Sequence, residues 1–476
     1  MNRKFSPLRA LLASAVFALH AIPLAQAELP ESVKQSLKSL GLPSEALSVA
    51  IVPLDGAGTA QFHLADQPRN PASTMKLVTT WAGLNLLGPA WQWQTDLLAD
   101  APPVKGVLNG PIYLRGSGDP KITLERMWLW VRDLKAAGVE EIRGPLVLDG
   151  SYFQRSTTLG EYDDDGETER AFMVEPDALM TNFRTQRISF DSTGERVILT
   201  AEPPLNQVRV SNQLALGEGN CATWAKRVQQ RPGQVNGVEY ILQYVGEMPA
   251  GCKAERYVPV LNARNYTAAL FWYMWYQIGG KGSGQTQDGV TPAKALTLAS
   301  SRSTDMVSNI RDINKYSNNL MARQLYLTLG AQLGKTAPNT DEKGAEAIRA
   351  GLQAAGLNWP ELVLENGAGL SRKEQVSARH LADLLANAWR GPFAAEYISS
   401  LPIVGVDGTM KKRLTAKGQA GMAHIKTGTL RDVRAAAGYV KDSKGRNWAV
   451  VAILNHPEAP KAVPVLDAVI RSVLEK

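Results

Sequence analysis

A chain of 476 residues, 44% of them hydrophobic, is long enough for two or three domains and apolar enough to bury a core in each. Its net charge of +7 falls to +4 once the first 27 residues, which hold Arg3, Lys4 and Arg9 and no acid, are set aside. So small a balance, with no dense basic tract, argues against nucleic acid as a partner, and five scattered histidines with two cysteines argue against metal chemistry.

The first residues carry an address. A basic start, an apolar run from Leu11 to Leu24 and the small residues around Ala25-Gln26-Ala27 predict a signal peptide over 1–27, cleaved before Glu28. The run is too short for a membrane span and is interrupted by His20 and Pro23. No later run is long enough to cross a bilayer. The mature chain is therefore expected to be exported and periplasmic, soluble or peripherally bound, with no transmembrane anchor. In an oxidising compartment Cys221 and Cys252 are expected to form one disulfide, closing a loop whose restraint is worth roughly 3 kcal/mol. Two unpaired thiols are the alternative.

The mature segment begins with LPESVKQSLKSLG, which reads as a helix, then LSVAIVPLDG and TAQFHLAD, an antiparallel strand pair. A helix follows from Pro71 to about Leu87, with Asn70 as its cap, Leu77, Trp81, Leu84 and Leu87 on one face, and Gly88-Pro89 as its stop. From about Trp93 the texture changes to short β-rich runs separated by Gly, Pro, Asn and Asp, one or two modules over 93–295. The stretch GGKGSGQTQDG (279–289) reads as a linker or exposed loop. Helical periodicity returns over 304–315, 319–333, 342–355 and 378–389. The strand-like runs IKTGTLRD, AAGYVKD and NWAVVAILN follow, the last two joined by a turn at Asp442–Gly445, and a final helix runs from about 461 to 474. The acidic stretch EYDDDGETE (161–169) invites a calcium reading, but Phe172 stands where an EF-hand needs its twelfth-position Glu, so a solvated loop is expected. Helices flanking an antiparallel sheet, interrupted by a β-rich insertion, make an α+β multidomain chain.

Three short motifs carry chemistry. In NPASTMKLVTT, Ser73 and Lys76 lie one turn apart on one face of a helix start. A serine hydroxyl needs a base, and a lysine whose burial or cationic neighbours lower its pKa is one. Ser317-Asn318-Asn319 falls between two helices, where Ser317 could relay a proton and Asn319 could bind a peptide amide; helix capping is the plain alternative. Lys426-Thr427-Gly428-Thr429 falls on a strand, whose edge could pair with an extended peptide while the cation and hydroxyls meet a terminal carboxylate. Gly428 would let a backbone approach closely.

In this order, on helix, inter-helix loop and strand, the motifs resemble those of the penicillin-recognising serine acyl-transferases. Roughly 200 residues more than in class A β-lactamases separate Ser73 from Ser317. That insertion, with the export signal, resembles the penicillin-binding protein 4 family, class C low-molecular-mass D-alanyl-D-alanine carboxypeptidase/endopeptidases. The stretches RGSGDPKIT (115–123), GPLVLDGSYF (144–153) and ENGAGLSR (365–372) match it further. The resemblance implies a β-lactamase/transpeptidase-like domain made of 28–92 and 296–476. A second domain would comprise 93–172 and 272–295, and a third 173–271.

It also implies Ser73 as nucleophile, Lys76 as its proton acceptor and Ser317 as the shuttle to the leaving amine. Asn319 would bind the substrate amide, Lys426, Thr427, Gly428 and Thr429 the D-Ala carboxylate, and the N–H groups of Ser73 and Thr429 the oxyanion. Asp149 is the candidate for the amino end of diaminopimelate, with a buried structural aspartate as the alternative. Peptidoglycan stem peptides are the implied substrates and β-lactams the covalent inhibitors, with no cofactor. One departure is Asn366-Gly367-Ala368-Gly369, where relatives commonly start Asp-Gly-Ser-Gly. A serine β-lactamase, for which only Glu361-Leu362 approaches the deacylation-loop pattern, and a non-catalytic penicillin-sensing or cell-wall-binding protein are the other readings.

Overall fold

The computed structural model describes residues 28–56, 58–155, 173–236 and 239–476; the expected signal peptide and the acidic stretch 161–169 lie outside them. The strands Val433–Lys441 and Asn447–Asn455 are apolar almost throughout, and such runs must be covered on both faces. They form the middle of a five-stranded antiparallel sheet in the order Ala423–Leu430, Val433–Lys441, Asn447–Asn455, Leu47–Pro53, Gln61–His63. Alternation sorts their side chains. Ala449, Val451 and Ile453 enter a core with Leu77, Val78, Leu381 and Leu385, while Val450, Ala452 and Leu454 pack with Val33, Leu37, Val465 and Val469. One face is thus covered by the helices Lys76–Ala82, Met306–Tyr316, Asn319–Leu333 and Ala378–Arg390, the other by Glu31–Leu40 and Val463–Leu474.

The chain leaves this core at Trp93 and returns at Ser303. There the Trp93 N–H donates to Ser303 Oγ and the Ser303 N–H to the Trp93 carbonyl, both at 3.0 Å. Beyond that junction Gln94–Ala99 and Leu296–Arg302 pair antiparallel, the last two strands of a second, mixed sheet ordered Thr286–Asp288, Leu146–Asp149, Ile112–Arg115, Gln94–Ala99, Leu296–Arg302. Passage back to the helical core therefore falls at Arg302–Ser303, beyond the boundary at 295 that composition suggests. Three further three-stranded sheets complete the insertion among the described residues, one of Ile198–Glu202, Thr185–Asp191 and Lys253–Pro259, one of Val208–Gly217, Glu239–Pro249 and Val228–Asn236, and one of Lys281–Gly282, Glu141–Ile142 and Val107–Leu108. The Cys221 and Cys252 sulfurs are bonded, with their Cα atoms 5.6 Å apart.

Two helices interrupt the β-rich texture, Leu124–Ala136 and Ala263–Gln277. The second, ARNYTAALFWYMWYQ, is buried on most sides and so shows no apolar stripe, and it runs through the expected boundary at 271/272. The Gly-rich stretch 279–289 is not a linker. Lys281–Gly282 and Thr286–Asp288 add edge strands, pairing in parallel with Glu141–Ile142 and Leu146–Asp149. Ion pairs tie the insertion to the helical core. Lys121 Nζ meets Asp312 at 2.5 Å on the helix that leads into Ser317, and Arg155 meets Asp341 at 3.0 Å. No helix among the described residues is long and apolar enough to cross a membrane, and no group of three or more metal-ligating side chains forms among them.

The turn at Asp442–Gly445 shows how the central hairpin is locked. Asp442 is buried, and its carboxylate accepts from the N–H groups of Lys444 and Arg446, from Arg446 Nε and from Trp448 Nε1. Burial works against the charge, but these donors together hold the carboxyl down at about 2. The stability this contributes is full above the ordinary aspartate pKa and is lost as pH falls toward 2. Asp442→Asn is expected to cost about 2 kcal/mol at pH 7, with the gap to the parent protein narrowing below pH 4, as read by thermal melts at both pH values. A gap that does not change with pH would contradict this account.

Candidate active site

The helix expected from Pro71 to Leu87 is present with a different beginning. Ala72–Met75 form a 3-10 turn, the α-helix runs from Lys76 to Ala82, and a wider π turn spans Gly83–Leu87. Three residues per turn eclipse positions i and i+3, so Ser73 and Lys76 line up more closely than an α-helix would allow. Asn70 Oδ1 accepts from the Ala72 N–H at 2.9 Å, and Ala72 adopts φ +45°, a costly conformation for a residue with a side chain. Two glycines leave room for this turn. A Cβ on Gly369 would fall 1.9 Å from the Ala72 carbonyl oxygen, and one on Gly428 2.6 Å from that of Pro71.

Lys76 is fully buried. Its Nζ lies 2.9 Å from Ser73 Oγ, 2.6 Å from Asn319 Oδ1 and 2.5 Å from the Ala368 carbonyl oxygen. Burial, and then the charge of Lys426, push its pKa well below the ordinary lysine value, against an opposite pull from Glu374. As a neutral amine Lys76 can give two N–H bonds to Asn319 and Ala368 and turn its lone pair to the Ser73 hydroxyl. That is the arrangement a general base requires.

Ser317 ends the helix Met306–Tyr316 in the left-handed region, at φ +55°. Asn318 then caps the next helix through the Met321 N–H, and Asn319 is its first residue, which turns the Asn319 amide toward Lys76. Lys426 is also fully buried, its pKa lowered to about 7 by that burial, and it donates to Ser317 Oγ and the Thr427 carbonyl, each at 2.8 Å. The three motifs therefore meet through two lysines.

Ala423–Leu430 is the edge strand of its sheet. Its free side is covered at Ala423 and Ile425 by Val404 and Pro402, since the Val404 N–H donates to Ala423 and the Ile425 N–H to Pro402. By the two-residue repeat, the N–H groups of Thr427 and Thr429 face the same side, further along. The Thr429 side chain is exposed and that of Thr427 half-buried, 3.0 Å from Thr409 Oγ1.

Asp149 is not among the residues that these hydrogen bonds bring together. It is buried at the end of its strand and accepts from the N–H groups of Ser151 (3.0 Å) and Thr291 (2.8 Å). Among the described residues it makes no hydrogen bond to Ser73, Lys76, Ser317, Asn319 or Lys426. Glu361 is held by His380 Nδ1 (2.6 Å) and the Ser377 N–H (3.0 Å), and Arg372 pairs with Asp432. Motif reading did not identify the Ala368 carbonyl or Glu374, whose oxygens accept from the N–H groups of residues 365, 366, 367 and 369. A carbonyl has no sequence signature, and a lone Glu in a charged stretch resembles a solvated one.

Comparison with known proteins agrees with this architecture. A D-alanyl-D-alanine carboxypeptidase of Actinomadura sp. (strain R39) is 27% identical over 463 residues, covering 93% of this chain and 84% of its own. The crystal structure of penicillin binding protein 4 (dacB) from Haemophilus influenzae superposes with a TM-score of 0.78 at 22% identity, covering 93% of this chain and 99% of that one. The same protein complexed with a novel β-lactam gives a TM-score of 0.74 at 20% identity, covering 94% and 100%. The model of the D-Ala-D-Ala carboxypeptidase 3 (S13) family matches residues 29–471, nearly the whole described chain. This protein belongs to that family and is a serine-type D-Ala-D-Ala carboxypeptidase.

Proposed function

We propose that the chain is an exported serine DD-peptidase that works through a Ser73 acyl-enzyme on peptidoglycan stem peptides. It would release terminal D-Ala and also cut D-Ala–diaminopimelate cross-links. The observation that carries the reading is the buried Lys76 amine, 2.9 Å from Ser73 Oγ with two carbonyl oxygens to accept its N–H bonds.

An extended stem peptide adds to the open edge beside Thr427 and Thr429. The hydroxyls of these two threonines hold the terminal carboxylate, with the Lys426 charge behind them. Asn319 binds the preceding amide as well as Lys76. Lys76 takes the Ser73 proton as Oγ attacks the D-Ala carbonyl, and the N–H groups of Ser73 and Thr429 receive the oxyanion. The C–N bond then breaks, and the proton reaches the leaving amine through Ser317, whose hydroxyl is polarised by Lys426. Water cleaves the resulting ester and regenerates Ser73. A β-lactam enters the same path, but its leaving nitrogen stays tethered, so its ester turns over slowly. Export is supported by the signal-like pattern of residues 1–27 and by the disulfide.

Benzylpenicillin is expected to add once to Ser73 and to persist on the timescale of intact mass spectrometry. Ser73→Ala should abolish the adduct and lower D-Ala release by roughly 10^4-fold or more with unchanged folding. An adduct that vanishes in seconds while drug is consumed would make the protein a β-lactamase, and no adduct would refute the acyl-enzyme. Release of D-Ala from monomeric muropeptides with no cleavage of cross-linked ones would remove the endopeptidase part alone.

The rate of acylation should rise with pH along a limb well below the ordinary lysine range, because only neutral Lys76 accepts the proton. Lys426→Gln removes the cation that helps lower the Lys76 pKa, so this limb should move to higher pH, as followed with a chromogenic β-lactam. A limb that stays put would show that Lys426 does not tune the base. N-terminal sequencing of exported protein should begin at Glu28; retention of residues 1–27 would exclude cleavage there.

A further inference from the structure

The loop that carries Ala368 is built around one carboxylate. Glu374 is fully buried, and its Oε1 accepts from the N–H groups of Glu365 (3.2 Å), Asn366 (3.0 Å) and Gly367 (2.8 Å), its Oε2 from that of Gly369 (2.9 Å). The remaining N–H of the segment, on Ala368, donates to Asn366 Oδ1 at 2.9 Å. With five successive N–H groups turned inward, carbonyls are left to point out. That of Gly367 accepts from Thr79 Oγ1 at 2.6 Å and that of Ala368 from Lys76 Nζ at 2.5 Å. Further along the same loop, the Ser371 carbonyl accepts from Asn70 Nδ2 at 2.9 Å. The loop therefore grips Asn70, Lys76 and Thr79, on both sides of Ser73.

We propose that Glu374 is a positioning residue for acylation: its carboxylate folds residues 365–369 into a cup that aims the Ala368 carbonyl at Lys76 and places a negative charge behind that lysine. Burial pushes the Glu374 pKa up, and the four N–H donors that converge on its two oxygens pull it back by favouring the ionised, acceptor-only form that the proposal requires. The inference rests on the proposed role of Lys76 as base. The Ala368 carbonyl fixes one N–H of the amine, and with Asn319 fixing another, the lone pair is left for Ser73. The other charged or titratable groups around Lys76 and Glu374 are Lys426 on the edge strand and Tyr326 on the helix Asn319–Leu333, with Asp341, Arg349 and Glu365 acting on Tyr326. Glu365 itself is hydrogen-bonded to the Ser371 hydroxyl. Of these, Glu374 is the anion that acts on Lys76, opposing the effect of Lys426.

Removing this charge favours neutral Lys76, so the acid limb of acylation moves to lower pH, while the loosened carbonyl lowers the maximal rate. The test is the pH profile of acylation by a fluorescent penicillin in the parent protein, Glu374→Gln and Glu374→Asp. The proposal expects Glu374→Gln to acylate on the order of tenfold to a hundredfold more slowly at its best pH, with the acid limb shifted down by roughly one unit. Glu374→Asp, which keeps the charge, should restore the position of the limb if not the full rate. A slower Glu374→Gln protein with an unshifted limb would make Glu374 a structural residue only and overturn the proposal. Should the variants not fold, hydrogen exchange on the parent protein decides. Amides of Glu365, Asn366, Gly367 and Gly369 should be as protected as those of the central strands, and exchange at free-loop rates would overturn the cup. Failure of the parent protein to acylate at Ser73 is a separate result, which refutes the acyl-enzyme reading itself.

Discussion

Two lysine side chains share one buried site, and much of the surrounding architecture answers that cost. Lys76 and Lys426 are both fully buried, and burial alone disfavours the charge of each. Their mutual repulsion adds to it, so the pair is better described by shared protonation states than by two separate titrations. Oxygen atoms from four parts of the chain compensate: the serines 73 and 317, the Asn319 amide, and the carbonyls of Ala368 and Thr427. Burial and the charge of Lys426 both favour the neutral form of Lys76, the form able to accept a proton.

Rigidity comes from where these atoms are mounted. Ser73 rides a 3-10 turn continuous with a buried helix, Asn319 opens another, and Lys426 stands in a strand that belongs to the central sheet. The approach of the strand and of the 365–372 loop to the Ser73 turn is closer than side chains permit, which is why Gly428 and Gly369 stand there. The insertion packs against this assembly, with Phe153 and Ala178 in the core that holds Met75 and Leu325, and pairs with it through Lys121 on Asp312 and Arg155 on Asp341. Its strands Gln94–Ala99 and Leu296–Arg302 leave and return side by side, so its size places no demand on the geometry at Ser73.

Much of this was legible in the residues because the chemistry uses side chains at set spacings. Ser73 with Lys76, Ser317 with Asn319, and Lys426 to Thr429 were recognisable as motifs, and the strand pair and helices of the outer segments follow from periodicity. What stayed hidden depends on backbone and on long-range contacts. The Ala368 carbonyl has no letter of its own, and the worth of Glu374 appears only when residues 365–369 curl around it. The helix Ala263–Gln277 escaped because burial on most sides erases the polar face that marks an amphipathic helix. The strands within 279–289 escaped because parallel pairing at a sheet edge lends structure to glycines and polar residues that read as a linker. The expectation that Asp149 meets the substrate came from the resemblance; its hydrogen bonds, one local from Ser151 and one long-range from Thr291, could not be read from the sequence.

The pairing of Leu47–Pro53 with Asn447–Asn455 has a temporal consequence. Asn70 gives its N–H to Asn455 Oδ1 at 2.9 Å, and Asn455 Nδ2 returns a bond to the Asn70 carbonyl at 3.0 Å, so the turn bearing Ser73 is fastened to the final strand. A nascent chain ending before that strand has neither the centre of its sheet nor an anchor for Ser73. Such contacts between distant parts of a chain form late and slowly. The Ser73 turn is thereby fully anchored only once Asn447–Asn455 has taken its place in the sheet.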